Sequence, residues 1–222
     1  MEADSTSQHG PLRDFFCAAI TLVLYHRQVY PEETFERRQL FDAAVYVSRC
    51  AELREYVEML VDGLLALLRR READALVVLI LGQPVGTTVL QPFVLERFVF
   101  EMKHIEGIMN MHQPEYTGMF RGCLLKLHVC DSLLAPLPTS SAELSFRVEL
   151  HSRPANAGFA MSESMREQWV ECDLEKEVGQ FHGDSMIIPL KSISTRSFSL
   201  QLIAQEDAQA KLRFASAHRS TA

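Results

Sequence analysis

The sequence predicts an α+β domain in which three helices pack on one face of a mostly antiparallel sheet. Three stretches place apolar residues at helical spacing, and five shorter ones have the apolar runs or alternation of strands. Helices and strands do not alternate along the chain, which argues against a doubly wound parallel sheet. With 222 residues, 47% hydrophobic and 23% charged, the chain has enough apolar material for one core.

The predicted helices cover residues 11–30, 51–71 and 115–134. Proline suits the first turn of the first helix, and Pro31 ends it because a residue before proline disfavours helix. Three arginines close the second helix at the end where cations suit the helix dipole. Pro136 and Pro138 stop the third helix.

The predicted strands cover residues 75–81, 95–102, 144–150, 187–190 and 197–203, and 34–47 is a shorter extended piece. The first is continuously apolar, which is typical of a central strand buried on both faces. In the last strand Leu200 and Leu202 point one way, while Gln201 and Ile203 point the other way.

A long connection, residues 151–186, separates two predicted strands and has neither strand nor helix periodicity. Connections of about 36 residues are uncommon in compact domains unless they have a function or are disordered. This one contains Trp169, the only tryptophan of the chain. Trp169 has two interpretations: it binds a partner, or it pins the connection to the core.

Composition excludes several classes of function. The net charge of −7 is spread along the chain, so we expect no direct nucleic-acid binding. Five scattered cysteines without a C-x-x-C motif indicate a reducing compartment, and no apolar run is long enough for a membrane span. Residues 1–10 and 206–222 are polar and are predicted to be flexible. Because residues 1–10 do not resemble a signal peptide and no apolar run could span a membrane, we expect a soluble intracellular protein.

The sequence contains no recognisable catalytic motif. None of the eight histidines has metal-ligand spacing, and neither a nucleophile elbow nor a glycine fingerprint is present. We therefore expect no enzyme activity, no metal and no cofactor. A small α+β enzyme with an unrecognised site is the alternative from another class.

Several stretches in colinear order resemble the HORMA-domain accessory subunit of translesion DNA polymerase zeta. They are residues 22–31 (LVLYHRQVYP), 35–38 (FERR), 52–57 (ELREYV), 96–101 (ERFVFE), 121–131 (RGCLLKLHVCD), 188–191 (IPLK) and 200–202 (LQL). The likeness runs from about residue 12 to 205, and the block 22–57 needs no gaps. Other HORMA branches, from the spindle checkpoint, the meiotic axis and autophagy, look less similar around residues 29–31.

The resemblance implies a HORMA domain at 11–205 whose region 151–203 is a mobile safety belt. In that family the belt closes over an extended, proline-containing peptide that adds a strand to the sheet. The implied protein is a non-catalytic nuclear adaptor that joins the catalytic subunit of polymerase zeta to a Y-family scaffold polymerase. A HORMA adaptor in mitotic checkpoint or cell-cycle control is the alternative within the same class.

The resemblance also implies site residues. Tyr56 and Trp169 match the aromatic residues that contact the captured peptide. Arg121 matches the arginine used for contact with a second copy or another HORMA protein, and a solvated helix arginine is its alternative interpretation. Ile187, Gln201 and Ile203 match the surface that docks the scaffold polymerase. Ile203 stands at an aromatic position of the family, so this second contact is expected to differ in shape.

Overall fold

The computed structural model describes residues 10–83, 92–103, 113–137, 144–152, 169–170, 185–195 and 198–219. Their helices and strands are α1 (Pro11–His26), β1 (Phe35–Leu40), β2 (Ala43–Ser48), α2 (Ala51–Arg69), β3 (Ala73–Gly82), β4 (Phe93–Lys103), α3 (Gln113–His128), β5 (Leu144–Ser152), β6 (Met186–Ser194), β7 (Ser199–Glu206) and α4 (Ala208–Arg219). Short 3-10 turns occupy Glu32–Thr34 and Cys130–Ser132.

The main sheet has five strands in the order β5-β3-β4-β7-β6, and every pairing is antiparallel. β3 lies second from the end and pairs on both sides, and its apolar run is buried, as the sequence predicts. β6 is an edge strand and contains Pro189, which an edge tolerates because one side of the strand needs no ladder hydrogen bonds.

One face of the sheet carries the main core. α1 packs against both α2 and α3, and several of its side chains, including Phe15, Phe16 and Ile20, are fully buried. The sheet contributes alternate residues, such as Phe98 and Phe100 of β4, because neighbouring side chains on a strand point to opposite faces. The α+β class, with three helices on a mostly antiparallel sheet, is confirmed.

The extended piece predicted at 34–47 is a separate hairpin of β1 and β2. Its two-residue turn places Phe41 and Asp42 at φ 49° and 54°, the left-handed conformation that tight hairpins require. The Phe41 ring packs against Phe120 of α3 at a centroid distance of 5.2 Å. This contact attaches the hairpin to the helical layer.

The first helix ends four residues earlier than the sequence predicts, at His26 instead of Tyr30. Gln28 adopts a φ of 50°, and the amide of Val29 turns back to the carbonyl of Leu24 at 3.1 Å. A left-handed residue of this kind terminates a helix before a proline can do so.

The C-terminus also differs from the expectation of a flexible tail at 206–222. β7 continues to Glu206, and α4 follows from Ala208. The Asp207 side chain caps this helix by accepting a hydrogen bond from the Ala210 amide at 2.8 Å. Phe214 is fully buried against Leu95 of β4. The segment looked polar because only one narrow stripe of it is apolar.

A buried ionic network joins α4 to the rest of the fold. Arg27, which follows α1, places Nε 2.7 Å from Oε2 of Glu96 on β4 and also contacts Asp131. Lys211 of α4 places Nζ 2.6 Å from both Glu96 and Glu206. Arg27, Glu96, Glu206 and Lys211 are each more than nine-tenths buried.

The network also satisfies the backbone of Ala135. The amide of Ala135 donates to Glu206 at 2.9 Å, and its carbonyl accepts from Lys211 at 2.8 Å. Burial by itself lowers the pKa of Arg27, but the carboxylates of Glu96 and Asp131 outweigh it and raise that pKa, so the guanidinium stays charged. The end of β7 is therefore fixed to α1, β4 and α4 by charges that cannot easily be replaced one at a time.

Candidate functional site

The first feature of the candidate site is the unpaired edge of β5. β5 pairs with β3 from Ala73 to Gly82 and ends the sheet on that side. Within the described ranges, no strand pairs with its other edge. An unpaired edge presents a row of backbone donors and acceptors to which another extended chain can add.

Aromatic side chains flank this edge. Phe146 of β5 contacts Tyr56 of α2 at a centroid distance of 5.9 Å and Tyr30 at 6.3 Å, in both cases nearly edge to face. Tyr56 is 41% exposed, so one side of its ring is free for contact. Burial raises the pKa of both tyrosines, so their hydroxyls remain protonated donors near neutral pH. We call Tyr30, Tyr56 and Phe146 the aromatic cluster of β5.

Trp169 contacts the same helix as Tyr56. A Cβ placed on Gly63 of α2 would lie 2.6 Å from Trp169 Nε1 and 3.3 Å from Cε2, so the indole lies directly on the helix backbone. Trp169 is partly buried and packs against the main core. The contact agrees with the interpretation that Trp169 pins the connection to the core, while its role in peptide binding stays a prediction.

Tyr56 and Gly63 are seven residues apart on α2, which places them on one face of the helix. Two helical turns separate them by about 10 Å. That length equals about three residues of extended chain. The contact of Tyr56 with β5 and the contact of Trp169 with Gly63 therefore mark two points along one side of α2, the first of them against the edge strand.

Arg121 lies on the exposed side of α3, as the sequence predicts. Leu125, one turn further along the same face, is 47% exposed, and Val129 and Leu133 beyond the helix are similarly exposed. No described residue forms an ion pair with Arg121. The structure thus provides an exposed basic and apolar surface, and the dimer role of Arg121 stays a prediction.

Ile187, Gln201 and Ile203 share the outer face of the sheet. Ile203 is flanked by Val99 on one side and Pro189 on the other, and Ile187 is opposite Gln205. Ile187 is 59% exposed, whereas Leu200 and Leu202 are fully buried on the core face. The predicted orientation of these strands is correct, and docking of a partner there stays a prediction.

Sequence comparison finds similar proteins over most of the chain. The chain is 28% identical to the zebrafish (Danio rerio) protein named mitotic spindle assembly checkpoint protein MAD2B, over 89% of this chain and 90% of the relative. It is 27% identical to the Arabidopsis thaliana protein named DNA polymerase zeta processivity subunit, over 86% and 82% of the two chains. No family model matches the chain.

Structure comparison also finds matches that cover most of the chain. The chain superposes with a TM-score of 0.66 on a chain of the Mitotic Checkpoint Complex, at 18% identity, covering 88% of this chain and 96% of the other. It superposes with a TM-score of 0.65 on Caenorhabditis elegans HTP-2 bound to a HIM-3 closure motif, at 9% identity, covering 94% and 99%.

The chain is thus similar over most of its length to proteins named MAD2B and to a polymerase zeta processivity subunit, and it shares its fold with solved HORMA-domain proteins. The HORMA-like fold predicted from the sequence is thus confirmed, and its sequence relatives support an adaptor role. Most of the predicted safety-belt region lies outside the described residues. Its described parts are residues 151–152, 169–170, 185–195 and 198–203, which include β6 and most of β7.

Sequence reasoning missed two residues of the candidate site. Phe146 contacts both tyrosines of the aromatic cluster, and the alternation in β5 places it on the core face of an edge strand. Gly63 receives the Trp169 indole. A glycine in the middle of an amphipathic helix was the available signal, because glycine there usually has a packing or functional reason.

The pairing of His26 with His128 is explained by packing between elements of the fold. His26 and His128 share a hydrogen bond of 3.0 Å, and His128 lies 2.7 Å from the carbonyl of Ala44. Burial and His128 lower the pKa of His26 to about 4.

Among the described residues no group of three or more potential ligands could hold a metal ion. No helix in the described part is long and apolar enough to cross a membrane.

Proposed function

We propose that this HORMA protein is a non-catalytic nuclear adaptor of translesion DNA synthesis. In this proposal the 151–203 region closes over an extended, proline-containing peptide from the catalytic subunit of DNA polymerase zeta. The peptide lies along the free edge of β5, between the aromatic cluster and Trp169. The outer face of β6 and β7 then docks a Y-family scaffold polymerase, which joins two polymerases on one small domain.

The unpaired edge of β5 beside exposed Tyr56 is the observation that carries the proposal. Backbone hydrogen bonds to an edge strand supply affinity for any extended chain, and flanking side chains supply selectivity. An aromatic ring that is partly exposed and partly packed suits a proline ring, which is compact, apolar and fixes the backbone φ. The relative named DNA polymerase zeta processivity subunit supports the choice of partner.

Backbone pairing can be tested with N-methylated peptides. In an antiparallel or parallel added strand, only alternate residues of the peptide point their amides at β5. We expect N-methylation of the peptide residues whose amides face β5 to abolish binding of the polymerase zeta peptide. N-methylation of the alternate residues, whose amides point away, should leave its affinity nearly unchanged. Equal effects of N-methylation at the two sets of positions, measured by fluorescence polarisation, would rule out strand addition.

Docking of the scaffold polymerase can be tested with two neighbouring variants. Ile187 and Met186 are adjacent in β6 and are 59% and 46% exposed, but they point to opposite faces of the strand. We expect Ile187→Ala to weaken binding of the C-terminal domain of the scaffold polymerase, and Met186→Ala to leave it unchanged. Equal affinities in calorimetry would remove this face from the proposal.

The surface around Arg121 suits contact with a second copy of the chain or with another HORMA protein. Arg121→Ala is expected to shift a dimer toward monomer, because the arginine and exposed Leu125 lie on one face of α3. Light scattering over a range of concentrations measures this shift. A wild-type protein that is monomeric at every concentration would leave the dimer without support.

A second candidate function is an adaptor of mitotic checkpoint or cell-cycle control that uses the same edge. The relatives named mitotic spindle assembly checkpoint protein favour it, including human MAD2A, which is 33% identical over 40% of this chain. Competition separates the two functions. A labelled polymerase zeta peptide is bound first and is then displaced either by the same peptide without label or by a peptide from a checkpoint partner. Displacement by the checkpoint peptide at the lower concentration would favour the checkpoint function.

A further inference from the structure

Gly63 is an unexpected residue for its position. It lies in the middle of the 19-residue helix α2, where glycine is the least favourable residue after proline. Its backbone is helical, and the only described glycine with a positive φ is Gly10. Backbone conformation therefore does not require glycine at position 63, and the reason for it must be space.

The space above Gly63 is filled by the indole of Trp169. The nearest atoms to a Cβ built on Gly63 are Trp169 Nε1 at 2.6 Å, Cε2 at 3.3 Å and Cζ2 at 3.5 Å. Carbon atoms pack best at about 3.5–4.0 Å, so a methyl group at this position would push the ring away by about 1 Å. An indole ring is rigid and cannot bend around the added atom.

The neighbouring positions of α2 form an apolar wall around this gap. One turn away on either side, the helix presents Met59, Leu60, Ala66 and Leu67. The indole Nε1 is buried and finds no hydrogen-bond partner among the described residues. Trp169 is thus held by shape and apolar packing, which depend steeply on distance, and not by a directional polar bond.

We infer that Gly63 is a positioning residue: the absence of its side chain creates a seat on α2 that fixes Trp169. Trp169 stands midway between Ser152 and Met186 in the sequence. β5 and β6 form opposite ends of the sheet. Because Gly63 and Tyr56 are seven residues apart on α2, the seat holds Trp169 on the side of the helix that also presents Tyr56.

The seat has a consequence for binding that rests on the proposed function. A safety belt that covers a peptide on the β5 edge must return to the same place each time it closes. A side chain at position 63 would displace Trp169 from α2 and loosen the closed arrangement. The size of residue 63 therefore controls how firmly the belt holds its peptide.

Fluorescence of the free protein tests the seat directly, because Trp169 is the only tryptophan in the chain. We expect the emission of Gly63→Ala to shift to longer wavelength and to be quenched more strongly by acrylamide than that of the wild type. Gly118→Ala in α3 is the matched control, since a Cβ there meets nothing within 4 Å. It makes the same chemical change in a helix and should leave the emission unchanged.

Circular dichroism checks that both variants keep their helices, and Gly63→Ser provides a second small substitution in case the alanine variant is poorly folded. Unchanged emission and quenching in folded Gly63→Ala and Gly63→Ser would overturn the inference. A shift of the same size in Gly118→Ala would also overturn it, because the change would then not come from the seat.

Affinity for the polymerase zeta peptide separates this inference from the proposed function. We expect Gly63→Ala to bind about tenfold more weakly, as for loss of one interface anchor, and Gly118→Ala to bind like the wild type. If the emission shifts but wild-type protein does not bind the peptide, the seat stands and the proposed function fails. If the emission shifts and affinity is unchanged, the control of peptide capture by residue 63 is refuted.

Discussion

The two ends of the five-stranded sheet are built differently. At one end, β5 has an unpaired edge among the described residues and is flanked by half-buried aromatic rings that touch nearly edge to face. Toward the other end, β7, which lies next to the edge strand β6, leads directly into the ionic network of buried Arg27, Glu96, Glu206 and Lys211 with the half-exposed Asp131. β5 is held on one side only, whereas β7 has a strand on each side and charged contacts at its end.

The difference shows how one sheet can combine a fixed end with an adaptable one. Apolar burial is non-directional, so the side chains at the β5 end can adapt to another chain without leaving a buried charge unpaired. A buried ionic network loses most of its stabilisation when any member leaves, because the remaining charges stay buried without partners. The end that must stay assembled has the ionic network, and the end that is proposed to exchange partners has the aromatic contacts.

Removal of Glu96 is expected to have the largest effect on the fixed end. Glu96→Ala leaves Arg27 and Lys211 buried without their shared carboxylate, so the free energy of unfolding should fall by about 3–5 kcal/mol. Denaturant unfolding measures this loss. Glu36→Ala is the control, because Glu36 forms an exposed ion pair with Arg38, and its removal should change little. Similar losses in the two variants would contradict the assigned role of the network.

Truncation of Phe214 tests whether α4 is part of the folded unit. The ring is fully buried against Leu95, so Phe214→Ala should lower the free energy of unfolding by about 3 kcal/mol. Leu212 lies on the same helix and is 69% exposed, and Leu212→Ala should have almost no effect. If Phe214→Ala also left the thermal unfolding midpoint unchanged, the C-terminus would behave as the flexible tail that the sequence suggested.

Truncation of Trp169 is expected to affect the adaptable end mainly through binding. Trp169→Ala should weaken capture of the polymerase zeta peptide by about 2 kcal/mol, as expected for an aromatic anchor, while the fold remains intact. Calorimetry measures the affinity, and denaturant unfolding measures the stability. Val170→Ala is the neighbouring control, because Val170 is 86% exposed. A variant that loses stability but not affinity would show that Trp169 only pins the connection to the core.

The smallest expected effect is a pH dependence at the contact of α1 with α3. Burial and His128 lower the pKa of His26 to about 4, whereas the unfolded chain has a histidine pKa of about 6.5. The unfolded state therefore binds more protons between these values, and stability is lost as the pH falls from about 6.5 toward 4.

Because His26 is partly exposed, we expect a loss of only about 1 kcal/mol over that range. Denaturant unfolding at several pH values measures it. His26→Gln removes the titrating group, so its stability should depend less on pH than that of the wild type. Parallel pH profiles for the two proteins would contradict the assignment to His26.

Much of the fold could be predicted from the sequence because its elements follow local rules. The strand alternation of Leu200, Gln201, Leu202 and Ile203 gave the correct faces, and the apolar run of β3 gave a strand paired on both sides. Element ends were less predictable, since the left-handed turn at Gln28 ends α1 without any glycine or proline at that residue. Helix α4 was missed because its apolar stripe is narrow.

The candidate site could be predicted only in part. An exposed Tyr56 follows from its place at the edge of a helical stripe, and the resemblance to HORMA proteins gave Trp169, but neither indicates Phe146 or Gly63. These two residues become part of the site only when β5 and the long connection are brought to α2. Such contacts join segments far apart in the sequence, and local periodicity carries no information about them.

By itself, the sequence determined the class of fold, the faces of the strands and the likeness to one family, because these depend on residue periodicity and on colinear motifs. Only the tertiary structure decided that β5 lies at an edge of the sheet, that Trp169 rests on a glycine, and that five charged groups meet at the end of β7. The physical reason is that pairing, close approach and charge neutralisation are properties of residues in space.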